Sequence, residues 1–363
     1  MSASLTRCRV GFVWSPDLET FDFGTKHPIK VGRFLMVKEF LEETQFLAQP
    51  NVITFAPELL SKSLLDRIHS QEYLRRVQEI SETGEGYIDI DTPGFKGIYY
   101  NASITSGATI AAVEAVATGK VSHAVSPTGG FHHARFEGGG GFSIFNDVAA
   151  SVYHLREKGF KRMLIADFDV HHGNGTQSYF YSDSDVMHIS FHEDPEWMYP
   201  HDGFIRDIGE GPGLGYNINM HFPMDSGDSV YRYAFDEIVP PLIESYKPEF
   251  VIFIPGFDAH YKDPLAHMTL TTDVIRYVTE QIHDAAHTWA DGKLVVLAGG
   301  GYHRDSFRWG IGTIMSVVTG HEYQPPPQKP PFDDDEETWT IVRENVSRVK
   351  ELVFPVLGIP SDR

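Results

Sequence analysis

The sequence predicts an α/β fold: a single domain of three layers, αβα, with a mostly parallel central sheet. Three observations predict it. Short apolar runs alternate with longer segments of helical periodicity. The runs are apolar along their length, as strands covered on both faces are. Polar, glycine-rich clusters follow five consecutive runs, at the strand ends where parallel sheets place their binding sites.

The predicted strands are Val10–Trp14, Ala124–Ser126, Met163–Phe168, Val186–Phe191, Phe250–Ile254 and Leu294–Leu297. Predicted helices are Val31–Glu43, Ser63–Glu79, Ser103–Thr118, Asp147–Lys158, Val230–Ser245 and Asp273–Ala290. In the last, Val274, Tyr277, Val278, Ile282, Ala285 and Ala286 recur at helical spacing. Residues 1–323 form the predicted α/β domain. The stretch "PPPQKPPFDDDEE" marks residues 324–338 as a Pro-rich acidic linker. Residues 339–363 follow as a C-terminal helix and tail. Ile341, Val342, Val346, Val349 and Val353 give the helix an apolar face that packs back on the domain.

Composition bounds the function. With 363 residues, 41% of them hydrophobic, the chain can bury a sizeable core. It has 30 Lys plus Arg against 50 Asp plus Glu, a formal charge of −20. That charge disfavours nucleic-acid partners and tolerates cationic substrates. Cys8 is the only cysteine, so no intrachain disulfide forms, which suits a reducing compartment. The N-terminus lacks an apolar signal core, and no run approaches the ~18 apolar residues of a membrane span. The expectation is a cytoplasmic protein with no membrane partner. The acidic Pro-rich stretch leaves a homo-oligomer open.

The chemistry concentrates at "DFDVHHGNG", Asp167 to Gly175, which ends a buried strand with carboxylates and imidazoles. Such groups near a core are paired, hydrogen-bonded or metal-bound. In an extended segment, Asp169 and His171 share a face and can address one ion. Asp258 in "PGFDAHYKDP" is the best third ligand. One nitrogen and two oxygens fit catalytic zinc, and Fe2+, Co2+ or Mn2+ would accept the same set. A lone Asp–His pair can equally be structural; the neighbouring strand-end clusters argue against that here.

"GGFHHARFEGGGGF" contributes the tandem His132 and His133 in a loop whose glycines allow close approach. A histidine near neutral pKa can move a proton from water to a leaving amine. Asp167 and Asn174 flank the ligands and can orient the pair. In "LAGGGYH", Gly299–Gly301 place Tyr302 where its hydroxyl can stabilise an oxyanion. "GEGPGLG" looks like a phosphate loop, but a strand-like segment follows it instead of a helix, so it is set aside.

These residues, with "FGTKHPIKVGR", "IHSQEYL", "GGFSIFND", "SFHEDP" and "GFDAHYKDPL", resemble the zinc-dependent histone deacetylase superfamily, with the arginase–deacetylase fold. The resemblance runs from about Val10 to Tyr323. The His-Pro start and the Gly-Gly-Phe-His-His loop resemble the bacterial acetoin-utilisation-type and class I-like branch. "HHGNGTQ" and "GEGPGLGYNIN" resemble the class II and acetylpolyamine amidohydrolase branch.

The resemblance implies zinc on Asp169, His171 and Asp258, with His133 as the general base and acid. It implies that Asp167 orients His132, Asn174 backs His133, and Tyr302 polarises the scissile carbonyl. Gly141 would accept the substrate amide hydrogen, and Phe142 and Tyr199 would wall an acyl-lysine tunnel. Leu265 and Gly300 complete the implied substrate site. A structural K+ would use Ser190 and main-chain oxygens of Asp167, Asp169, His171 and Phe191.

Two positions depart from the pattern. Tyr100 stands near where class I-like enzymes carry an acidic rim residue. Leu265 stands where a polyamine-selective member has Glu. "HEDPEWMYPHDG" is expected to bring Glu193, Asp194, Trp197 and Asp202 near the mouth. The implied activity is removal of acetyl or another short acyl group from acyl-lysine in a protein or peptide. Alternatives are deacetylation of acetylpolyamines or other small N-acyl amines and, more remotely, a non-catalytic acyl-lysine binding protein.

Overall fold

A computed structural model describes residues 8–360. In chain order the first half comprises β1 (Val10–Val13), α1 (Arg33–Glu43), β2 (Val52–Phe55), α2 (Lys62–Ile68) and α3 (Gln71–Thr83). The hairpin β3 (Tyr87–Asp89) and β4 (Thr92–Pro93), then α4 (Ile98–Ala117), β5 (His123–Ser126) and α5 (Asp147–Glu157), follow. The second half comprises β6 (Met163–Asp167), α6 (Asn174–Phe180), β7 (Val186–Glu193), β8 (Asn217–Phe222) and α7 (Asp228–Tyr246). It ends with β9 (Phe250–Ile254), α8 (Thr272–Trp289), β10 (Leu294–Leu297), α9 (Arg304–Thr319) and α10 (Glu336–Val353).

Eight strands form one sheet in the order β2-β1-β5-β10-β9-β6-β7-β8. Every pairing in it is parallel. Alternation along β6 shows that both faces are covered. Leu164 and Ala166 enter a core with α1, α7, α8, α9 and α10. Met163 and Ile165 enter a second core with α2, α3, α4 and α5. The layers are therefore helix, sheet, helix, as predicted. No helix among the described residues is long and apolar enough to cross a membrane.

Where the structure differs from the pattern, the reasons are local. The predicted helix Ser63–Glu79 is two helices. His69 turns extended, and Ser70 caps α3 by accepting from the Tyr73 amide at 3.2 Å. The break feeds the site: His69 Nδ1 lies 3.0 Å from the Arg135 carbonyl, and the Ser70 amide donates to Phe136. Helix α9 was not anticipated because Gly310 and Gly312 dilute its signal. A Cβ at Gly310 would collide with the Phe257 ring, so packing accounts for that glycine. The stretch expected as a linker carries Asp334, whose carboxylate accepts from the amides of Gly227, Ser229 and Val230 at 2.6, 3.1 and 3.1 Å. Behind it, Val342, Val346, Val349 and Val353 of α10 are buried in the first core.

Candidate active site

The carboxyl ends of β5, β6, β9 and β10 bring the predicted groups together. Asp167 closes β6, and the chain beyond it delivers Asp169 and His171. Asp258 follows β9 on a turn opened by Gly256, at φ +59°, where a Cβ would strike the Phe168 carbonyl. Asp169, His171 and Asp258 each offer a ligand atom, all within 4.8 Å of one another. Gly300 contributes by lacking a side chain, since a Cβ there would strike the Asp169 carboxylate.

This set fits a cation on its own evidence. Asp258 Oδ2 is buried without a hydrogen-bond partner among the described residues. Burial, and then the Asp169 carboxylate, raise Asp258 to about 6. Burial opposes protonation of His171, but the Asp169 and Asp258 carboxylates outweigh it and raise His171 to about 10. Two buried carboxylates thus share a single imidazolium charge, and a divalent cation in its place would balance both.

His132 and His133 sit beside that cluster with different partners. His132 Nδ1 lies 2.7 Å from Asp167 Oδ2, and the two Nε2 atoms lie 3.1 Å apart. His133 Nδ1 lies 2.9 Å from Asn174 Oδ1. Burial alone would depress His132, but the Asp167 carboxylate overrides it and raises it to about 9. For His133, burial and then the His132 and His171 charges act together, holding it well below the ordinary imidazole value.

Tyr302 completes the arrangement. Its amide donates to Asp263 Oδ2 at 2.6 Å. Arg33 Nη2 donates to the Gly299 carbonyl at 2.6 Å, bracing the turn beneath the ring. Burial, then Asp169 and Asp258, push the phenol well above its usual pKa, so it keeps its proton. Phe142 meets Tyr302 edge-on at 5.6 Å, and Tyr199 meets His133 at 5.1 Å. Gly141, at φ +52°, leaves space that a Cβ would take from the His133 ring. Leu265 is partly buried in the loop after Asp258, its amide donating to Asp263. Asp167 pairs with Ser190 across β6 and β7, and Phe191 follows.

Part of the mouth differs from the expectation. Tyr100 is exposed on α4, and the acids beside the glycine loop are on the β3–β4 hairpin instead. Asp91 accepts from the Gly141 amide at 3.2 Å, and Asp89 lies against Gly140. Glu193 is buried and holds His267, through its amide at 2.9 Å and its Nδ1 at 2.7 Å. Asp202 pairs with His172 and Arg135 at 2.6 and 2.9 Å. Trp197 is exposed.

Sequence reasoning also missed supporting residues. Asp147 accepts from the amides of Gly130 and Phe131 at 3.0 and 2.7 Å and fixes the histidine loop. Asp147, Arg33 and Asp263 all lie inside the recognised motifs, but their role is visible only through long-range hydrogen bonds.

A buried Asp-His-Asp cluster, a tandem histidine pair and a tyrosine at the ends of parallel strands define a metal-dependent amidohydrolase of the deacetylase class. Comparison with known proteins agrees. Residues 27–318 match the histone deacetylase domain, and the chain belongs to that family. It is 32% identical over 299 residues to the acetoin utilization protein AcuC of Bacillus subtilis, covering 80% of this chain and 77% of that one. It is 38% identical over 251 residues to a histone deacetylase-like amidohydrolase of Pseudomonas aeruginosa, covering 68% and 65%. The HDA15 HD domain crystal structure superposes with a TM-score of 0.83 at 25% identity, covering 97% of this chain and 96% of that one. The protein is a hydrolytic deacetylase with the arginase–deacetylase fold.

Proposed function

We propose that the protein removes acetyl or another short acyl group from the side-chain amine of acyl-lysine in proteins or peptides. The convergence of the Asp169–His171–Asp258 cluster, the two histidines and Tyr302, with the Tyr199 ring on His133 and the Phe142 ring on Tyr302, carries this reading. Asp169, His171 and Asp258 would hold Zn2+ (or Fe2+, Co2+ or Mn2+), which when bound supplies a Lewis acid for the carbonyl and acidifies water.

The chain's own groups do the rest. His133, neutral and oriented by Asn174, takes a proton from the attacking water and hands it to the departing amine. His132 stays charged beside Asp167 and opposes the negative charge that develops next to it. Tyr302 donates its hydroxyl proton as a hydrogen bond to the substrate carbonyl oxygen. The Gly141 carbonyl accepts the substrate amide hydrogen. Phe142 and Tyr199 cover the aliphatic stem and exclude water. Asp89 and Asp91, beside the glycine loop, would accept backbone N–H groups of a peptide. In the same reading, Asp167, Asp169, His171, Ser190 and Phe191 hold K+ through Ser190 and main-chain oxygens.

Leu265, apolar and partly buried, offers no charge to a polyamine, which favours the lysine side chain over small amines. The test is acetate release from acetyl-lysine peptides beside acetylputrescine and acetylspermidine. Higher kcat/KM on peptides is the expected result. Release confined to the small amines would move the function to small-molecule deacylation.

A further inference from the structure

The opposite end of the sheet holds a second cluster of metal-ligating groups. His123 opens β5, whereas the catalytic loop follows the other end of that strand, about 10 Å away at the rise of a parallel strand. The His123 ring is fully buried, and neither ring nitrogen has a hydrogen-bond partner among the described residues. A buried imidazole with both nitrogens unsatisfied is costly unless something binds them.

Three further groups surround it. His283 and His287 lie one turn apart on α8 and therefore share a helix face. Their rings stand 4.8 and 5.1 Å from the His123 ring. Cys8, just before β1, is the only cysteine in the chain. Cys8, His123 and His287 each offer a ligand atom, all within 4.8 Å of one another. His283 Nε2 lies 3.2 Å from His287 Nε2. Two nitrogens on a tetrahedral ion at zinc distances stand about 3.3 Å apart, so that spacing already matches one edge of such a site. Gly292, at φ +77°, turns the chain beside the His287 ring, where a Cβ would lie 3.1 Å from the ring.

We propose that Cys8, His123 and His287, with His283 as fourth ligand, form a second, structural zinc site. One thiolate and three imidazoles make a closed tetrahedral set without an open position for substrate, as structural zinc takes. The ion ties the segment entering β1 to β5 and α8. It has no part in the amide chemistry and does not depend on the assignment of substrate.

The test is metal counting and cobalt spectroscopy on the full chain, stripped of metal and reloaded. Wild type is expected to hold two ions per chain, and Asp258→Ala, His287→Ala and Cys8→Ser one each. Co2+-loaded wild type and Asp258→Ala should both show a thiolate-to-cobalt charge-transfer band, because the catalytic cluster contains no sulfur. Cys8→Ser should lose the band. His287→Ala is a substitution on the exposed side of α8 and should keep acetate release within twofold of wild type. No thiolate band in Co2+-loaded wild type, or a second equivalent retained by both Cys8→Ser and His287→Ala, would overturn the proposal. The metal counts and the cobalt band are read without activity, so the catalytic assignment stands or falls separately.

Discussion

His132 and His133 are adjacent and chemically identical, yet their surroundings separate them. A carboxylate faces one and a neutral amide faces the other. The raised value of His132 has a stability consequence. A histidine whose folded pKa is raised from 6.5 to about 9 contributes stability that is fully present below pH 6.5 and lost as pH rises through about 9. Asp167, held below the usual carboxylate range despite burial because His132 faces it, contributes above its unfolded value and loses that contribution in acid. Metal-free wild type should therefore exceed metal-free Asp167→Asn in Tm most clearly near pH 6, with the gap closing by about pH 10. A gap that widens in base would contradict the pairing. Gly141→Ala tests space instead of charge. Its Cβ would displace the His133 ring, and a misplacement of that kind costs about 10²-fold in kcat. Zinc content should not change.

At the scale of elements, Asp334 shows what a composition-based boundary conceals. Helix α7 has Gly227 at its N-cap and so no side-chain cap of its own, and a carboxylate about a hundred residues later supplies one. Asp334→Ala should cost about 1 kcal/mol, read as a lower midpoint in urea unfolding with an unchanged slope. An unchanged midpoint would mean the contact contributes nothing. The strands β5, β6, β7, β9 and β10 were legible because continuous apolar runs are the signature of a doubly covered sheet. The edge strand β2 was not, because it is short and only partly buried. The break at His69–Ser70 was missed because the helical period runs on across it, while the bonds that impose it come from Arg135 and Phe136. The ligand cluster was legible because its residues sit two apart or at strand ends. The rim acids Asp89 and Asp91 were not, because a short hairpin carries them to a loop some fifty residues away.

At the scale of the molecule, the parallel sheet delivers the reactive groups to one edge. The chain supplies both halves of an amide hydrolysis there. One half is a buried Asp-His-Asp set that would hold a divalent ion; the other, in the proposed mechanism, is His133 as proton carrier and Tyr302 as a protonated phenol. The proposed mechanism requires Tyr302 to stabilise the charge developing on the carbonyl oxygen. The most direct test is the rate of acetate release by zinc-loaded wild type and Tyr302→Phe on the same acetylated peptide, with zinc measured in both. Equal zinc and a loss of ~10²–10³-fold in kcat are the expected result. A loss under threefold at equal zinc would remove Tyr302 from the mechanism.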